Sequence, residues 1–82
     1  MVETRIAIIS IFVYERTVSS QVNELLSQAG EYIVGRMGIP YHEKNVNVIS
    51  VVIDAPATVI NSLTGKIGMI QGVSAKTLFS KQ

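Results

Sequence analysis

From Thr4 to Val13 the chain reads TRIAIISIFV, a run rich in β-branched residues and short for a helix, which predicts a strand. Both alternating sets in it are apolar: Ile6, Ile8 and Phe12 on one side, Ala7, Ile9, Ile11 and Val13 on the other. Such a strand belongs at the centre of a sheet, covered on both faces. Val18, Val22, Leu25, Leu26 and Ala29 then recur at helical spacing among Ser, Gln, Asn and Glu, which predicts an amphipathic helix of about three turns. Thr17 stands where a hydroxyl N-cap is expected, and Gly30 where a left-handed residue commonly ends a helix.

Glu31 to Ile39 (EYIVGRMGI) predicts a weaker strand, because Gly35 and Gly38 interrupt it. Glycines inside strands mark bulges, edges or close backbone approach. Pro40 to Asn45 reads as a polar turn, and Val46 to Asp54 (VNVISVVID) as another strand apolar on both sides. These two strands form a hairpin. Asp54-Ala55-Pro56 opens a second helix, where Pro is tolerated in the first turn. Val59, Ile60, Leu63 and Ile67 form its buried stripe, with Gly68 at its end. Gly72 turns the chain into a last strand, Val73 to Phe79.

Right-handed crossovers place both helices of this strand-helix-strand-strand-helix-strand order on one face. The expected fold is therefore α+β: a ferredoxin-like βαββαβ sandwich, an antiparallel four-stranded sheet with two helices on one face. One domain is expected over 1–82. In this fold the first and third strands are central, and they are the two most hydrophobic segments here.

At 48% hydrophobic and 16% charged residues, with a mean hydropathy of +0.37, the chain is more apolar than ordinary domains, which carry about 25% charged residues. An 82-residue chain has little interior in which to hide so much Ile and Val. Neither central strand alternates with polar residues, so large aliphatics remain on whichever side faces away from the helices. Another copy of the chain is expected to bury them, in a homo-oligomer (dimer or tetramer). No membrane span is expected: the longest apolar stretch, Ile6 to Val13, is broken by Ser10 and too short. Met1-Val2-Glu3-Thr4-Arg5 does not open a secretory signal. Zero cysteines exclude a disulfide framework and thiolate chemistry and suit the cytoplasm, the expected location. A net charge of +1 with scattered charges offers no basic patch for nucleic acid.

No enzyme motif assembles. Gly65-Lys66 is not a phosphate loop, since Ile60 and Ile67 stand where Gly and Ser or Thr are required. Gly35-Arg36-Met37-Gly38 precedes no helix, so it is no dinucleotide fingerprint. His42 is the only histidine; alone it makes a poor metal site and reads as a solvated turn residue. Asp54 reads as a helix cap rather than a base. Ser10 and Ser50 read as buried hydroxyls bonded to a neighbouring strand, with no base to activate them. Arg16, Arg36 and Lys66 are cations suited to an anion or to plain solvation. No catalytic residue, metal ligand or cofactor is expected. The loop Tyr14-Glu15-Arg16-Thr17 faces ligands best, because helix-start N–H groups point into such a connection. If an effector binds, the expected residues are Tyr14, Glu15, Arg16 and Thr17 together with Gly35, Arg36 and Gly38, at a subunit boundary.

Nearly end to end, the chain resembles the small ACT-like iron-only hydrogenase system regulators. Thr4-Arg5-Ile6-Ala7, Tyr32-Ile33-Val34-Gly35-Arg36-Met37-Gly38-Ile39-Pro40-Tyr41, Asn47-Val48-Ile49-Ser50-Val51-Val52 and Leu63-Thr64-Gly65-Lys66-Ile67-Gly68 with Gly72-Val73 carry the likeness. The Lys-Ile-Gly-x-x-x-Gly-Val ending is also similar to the effector domain of the nickel-responsive repressor. The resemblance implies an ACT-like domain, a regulatory role, a small-molecule effector bound between subunits and a hydrogenase-system protein as partner. The Asp and Pro-Gly pair of ACT amino-acid sensors are missing from the first loop. So are the nickel repressor's His and Cys ligands and its ribbon-helix-helix segment, and direct DNA binding is not expected.

The first functional reading is thus a non-catalytic regulatory or effector-binding module. The second is a small oligomeric enzyme whose site is shared between subunits, with Arg36, His42 and Glu15 of different chains in one cleft. The third, a nucleic-acid-binding sheet, wants stacking aromatics where the strands offer aliphatics.

Overall fold

The computed structural model describes residues 3–81. Strand β1 is Arg5–Val13 and enters a 3-10 turn, Arg16–Val18, that leads into helix α1, Ser19–Gln28. A second 3-10 turn, Gly30–Tyr32, precedes β2, Ile33–Tyr41. A third, His42–Lys44, links β2 to β3, Val46–Ala55. Helix α2, Ala57–Gly68, and strand β4, Val73–Phe79, complete the fold. The sheet order is β2-β3-β1-β4, with every neighbouring pair antiparallel. The two most hydrophobic strands are central, as the ferredoxin-like arrangement requires.

Alternation along β1 decides which side meets the helices. Ala7, Ile9, Ile11 and Val13 are buried beneath α1 and α2, joined by Ile49, Val51, Ile53 and Ala55 of β3. Val22 and Leu26 of α1 close over them from one side, and Ile60, Leu63 and Ile67 of α2 from the other. Burying each large side chain contributes roughly 1.5–3 kcal/mol. Val18, Leu25 and Val59, expected in the helical stripes, are only partly buried at their margins. Thr64 ties α2 to β4, its hydroxyl 2.8 Å from the Ile60 carbonyl and 2.6 Å from the Thr77 hydroxyl.

Several local expectations are corrected. Thr17 is not an N-cap: the Val18 N–H bonds the Glu15 carbonyl at 3.2 Å, so the chain enters through a 3-10 turn and the α-helix starts after it. Gly30 is not left-handed; it opens the 3-10 turn that carries the chain to β2. Pro40 and Tyr41 belong to β2 rather than to the turn, which is compatible with its place at the edge of the sheet, where Pro is tolerated. The reversal is made instead by His42–Lys44 and by Asn45 in the left-handed region at φ 52°. Asp54 caps nothing; it lies exposed in β3, and α2 begins behind Pro56 with no side-chain cap. Ser10 is exposed and Ser50 half-buried, on the side of the sheet away from the helices.

A register shift between Ile33 and Gly35 places a β-bulge at the start of β2. Ile33 pairs with Ile53 on the helix side, whereas Gly35 pairs with Val52 on the opposite side. The extra residue inverts the parity of the rest of the strand. Arg36 and Gly38 consequently face the helices, and Met37, Ile39 and Tyr41 face away.

Gly72 has φ +84°, and a Cβ there would overlap the Cβ and Cγ of Glu15. Its carbonyl accepts the Tyr14 N–H at 2.7 Å, pinning the β1–α1 loop to the α2–β4 turn. Gly65 is exposed inside α2, with open space where a Cβ would stand. The same substitution should therefore have opposite signs at the two positions. Gly65→Ala is expected to stabilise by about 0.5–1 kcal/mol, and Gly72→Ala to destabilise by about 1–3 kcal/mol. In the same urea titrations Ile9→Ala, at the centre of the core, should cost about 2–5 kcal/mol.

Candidate functional site

Three side-chain hydrogen bonds run along the seam between α1 and the β2 side of the sheet. Arg16, Ser19 and Asn23 succeed one another at helical spacing, so they share one flank of the 3-10 turn and α1. The Arg16 guanidinium donates to His42 Nδ1 at 3.2 Å, Asn47 Nδ2 donates to Ser19 Oγ at 3.3 Å, and Arg36 donates to Asn23 Oδ1 at 2.7 Å. Because a guanidinium only donates, the contact assigns His42 Nδ1 as acceptor and its proton to Nε2. Gly38 lies on the helix side of β2 between the Arg36 and His42 ends of this seam, and a Cβ there would meet nothing within 4 Å.

The structure thus sets Arg16 and Arg36, two of the residues singled out by sequence, at opposite ends of one polar seam with Gly38 between them. It separates the others. Glu15 leans on Gly72. Tyr14 turns to the far side of the sheet, its ring stacked on Phe12 at 6.4 Å and its hydroxyl 3.4 Å from Ser74 Oγ. Thr17 lies exposed within the 3-10 turn, and Gly35 faces away from the helices. Within one chain, Arg36 and His42 have different partners, Asn23 and Arg16, rather than each other. Glu43 next to His42 accepts from the Tyr41 hydroxyl at 3.2 Å.

The notch under Arg16 and His42 holds only about 10 Å³, room for one water at most. A ligand on the seam would therefore lie over it, against solvent or against another chain. Among the described residues no three of His, Asp and Glu gather as metal ligands. No described helix is long and apolar enough to cross a membrane.

Sequence reasoning missed an open cleft of about 330 Å³ between the two helices. Leu25, Ala29, Val59 and Leu63 form its apolar part, with Tyr32 and Lys66 among its polar lining. No local pattern announces such a cleft, because it exists only once α1 and α2 lie side by side. The one available signal was that Leu25 and Val59 are apolar residues at the margins of their stripes.

With this geometry in place, comparison with known proteins is informative. No curated protein matches the chain. Among solved structures, that of the uncharacterized protein TM1266 from Thermotoga maritima is similar at a TM-score of 0.92 and 39% identity, over 96% of this chain and 100% of that one. The family model TM1266-like, described as "Iron-only hydrogenase system regulator, putative", matches residues 5–77. The match takes in every strand and both helices apart from the last two residues of β4, and the chain belongs to the TM1266-like family.

Proposed function

We propose that this chain is a non-catalytic, ACT-like regulatory protein of the iron-only hydrogenase system that responds to a small anionic effector. The family's description supports the regulatory role. The observation that carries the effector reading is the α1–β2 seam, where two exposed guanidinium groups flank a glycine with empty space above it. Arg binds carboxylates and phosphates through paired N–H donors. The bonds that Arg16 and Arg36 now make are to neutral acceptors, and an anion would compete with these well. Thr17, exposed in the adjoining 3-10 turn, would border such a ligand from its own chain, and edge strand β2 leaves room for a second copy to approach beside the seam. The effector therefore sits at a boundary between copies in this reading, and signals by changing how the oligomer meets a protein of the hydrogenase system.

Native mass spectrometry of protein purified gently from cells that make an iron-only hydrogenase tests this directly. A retained small anion is expected, lost from Arg16→Ala and Arg36→Ala variants whose circular dichroism is unchanged. Retention by both folded variants would remove the seam as the site. Catalytic conversion of the bound molecule by the purified protein would overturn the non-catalytic reading.

A further inference from the structure

The side of the sheet away from the helices is apolar and uncovered by the described residues. Ile8 of β1 is 40% exposed, Phe12 41%, Met37 of β2 58% and Leu78 of β4 72%. Register arranges these residues in rows across the strands. One row joins Ile8 to Val52 and Leu78; the next joins Ser10 to Ser50; the third joins Phe12 to Val48 and Ile39. Two apolar rows thus flank a central row, Met37–Ser50–Ser10–Lys76, with two small hydroxyls at its middle. From these we infer that this face is where two copies of the chain pack together, sheet on sheet, about a two-fold axis running along the Ser10–Ser50 row.

Three observations select a second copy as the occupant. First, the face is self-complementary. A two-fold axis along the serine row lays the Ile8–Val52 row of one copy on the Phe12–Val48 row of the other and brings serines to serines, as an isologous interface requires. Second, the area is right. Taken at their fractional exposures, the large side chains of this face offer roughly 700 Å² per copy, about what one side of a standard stable interface buries. Third, the face carries little charge. The rows carry one lysine, Lys76 in the Ser10 row, and the next row outward carries one carboxylate, Asp54. The axis brings Lys76 opposite its symmetry mate on edge strand β4, where both ammonium groups reach water at the margin while their stems pack. Aligned sheets stack about 10 Å apart, and the small central serines allow that approach. Tyr14, stacked on Phe12, extends the apolar surface towards the loop at the end of β1.

The pairing lies on the face opposite the seam and is a separate contact from the boundary proposed there; it rests on the chain being oligomeric and not on the effector. The test accordingly reads mass with no ligand added. Sedimentation equilibrium at low micromolar concentration should give the wild-type chain at twice the monomer mass or a multiple of it. Ile8→Glu, which would put an unpaired charge inside the interface, should weaken association by about 100-fold or more. Met69→Glu should not alter it, since Met69 lies at the end of α2, 87% exposed. A monomeric wild-type protein overturns the inference, as does a folded Ile8→Glu variant of unchanged mass. If Ile8→Glu fails to fold, a second variant decides. The chain has no cysteine, so Ser10→Cys supplies a single thiol beside the proposed axis. A short bismaleimide should join two Ser10→Cys chains efficiently and two Met69→Cys chains poorly. Equal or absent cross-linking from Ser10→Cys would reject the axis.

Discussion

The rest of this structure depends on the pairing of β1 with β3 beneath the two helices. Nine consecutive residues of β1, Arg5 to Val13, are in register with Ala55 to Asn47, and each inward residue of one strand sits beside an inward residue of the other. Ile9 lies beside Val51, Ile11 beside Ile49, and Ala7 beside Ile53. All are buried. Cross-strand neighbours of this kind are the units of sheet stability, and here they also form the floor on which α1 and α2 rest. A one-residue slip would send the whole aliphatic set to the other side of the sheet. The position of the helices and the cleft between α1 and α2 follow from this one register.

Because the helices occupy a single side, the central strands meet different surroundings on their two sides. Inward, Ile9, Ile11, Val51 and Ile53 find Val22, Leu26, Ile60 and Ile67. Outward, Ile6, Ile8 and Phe12 find no covering layer among the described residues. Ferredoxin-like sheets with one solvated face usually alternate apolar with polar residues, and β1 does not. A sequence that keeps Ile and Phe on an uncovered face keeps a surface fit for association. The excess of apolar residues over charged ones in the composition has the same origin.

The polar chemistry of the molecule is gathered at the edges of this apolar layer. Strand β2 is an edge strand exposed along most of its length, and α1 reaches it through hydrogen bonds rather than through packing. Arg36–Asn23 and Arg16–His42 join exposed groups, where competition from water leaves a hydrogen bond little net contribution to stability. Such contacts open at little cost, whereas the aliphatic floor does not.

Most of the architecture was legible in the sequence, because hydrophobic periodicity is a local signal. TRIAIISIFV and VNVISVVID could be read as central strands, the stripes of α1 and α2 as helix faces, and Gly72 as a turn. The likeness to the regulator family was carried by contiguous stretches such as Gly-Arg-Met-Gly-Ile-Pro-Tyr. Helix starts were less legible: Thr17 has the chemistry of a cap, but a 3-10 turn overrode it, and Asp54 was claimed by its strand. The candidate site was legible only in part. Arg16 and Arg36 could be picked out as cations, yet their placement on one seam depends on the bulge at Val34. That single extra residue inverts the parity of β2, sending Arg36 to the helices and Met37, Ile39 and Tyr41 to the open face. Local sequence determines which residues alternate; only the pairing of β2 with β3 decides to which side each one turns, because a strand's sides are defined by its neighbour and by the layer packed upon it.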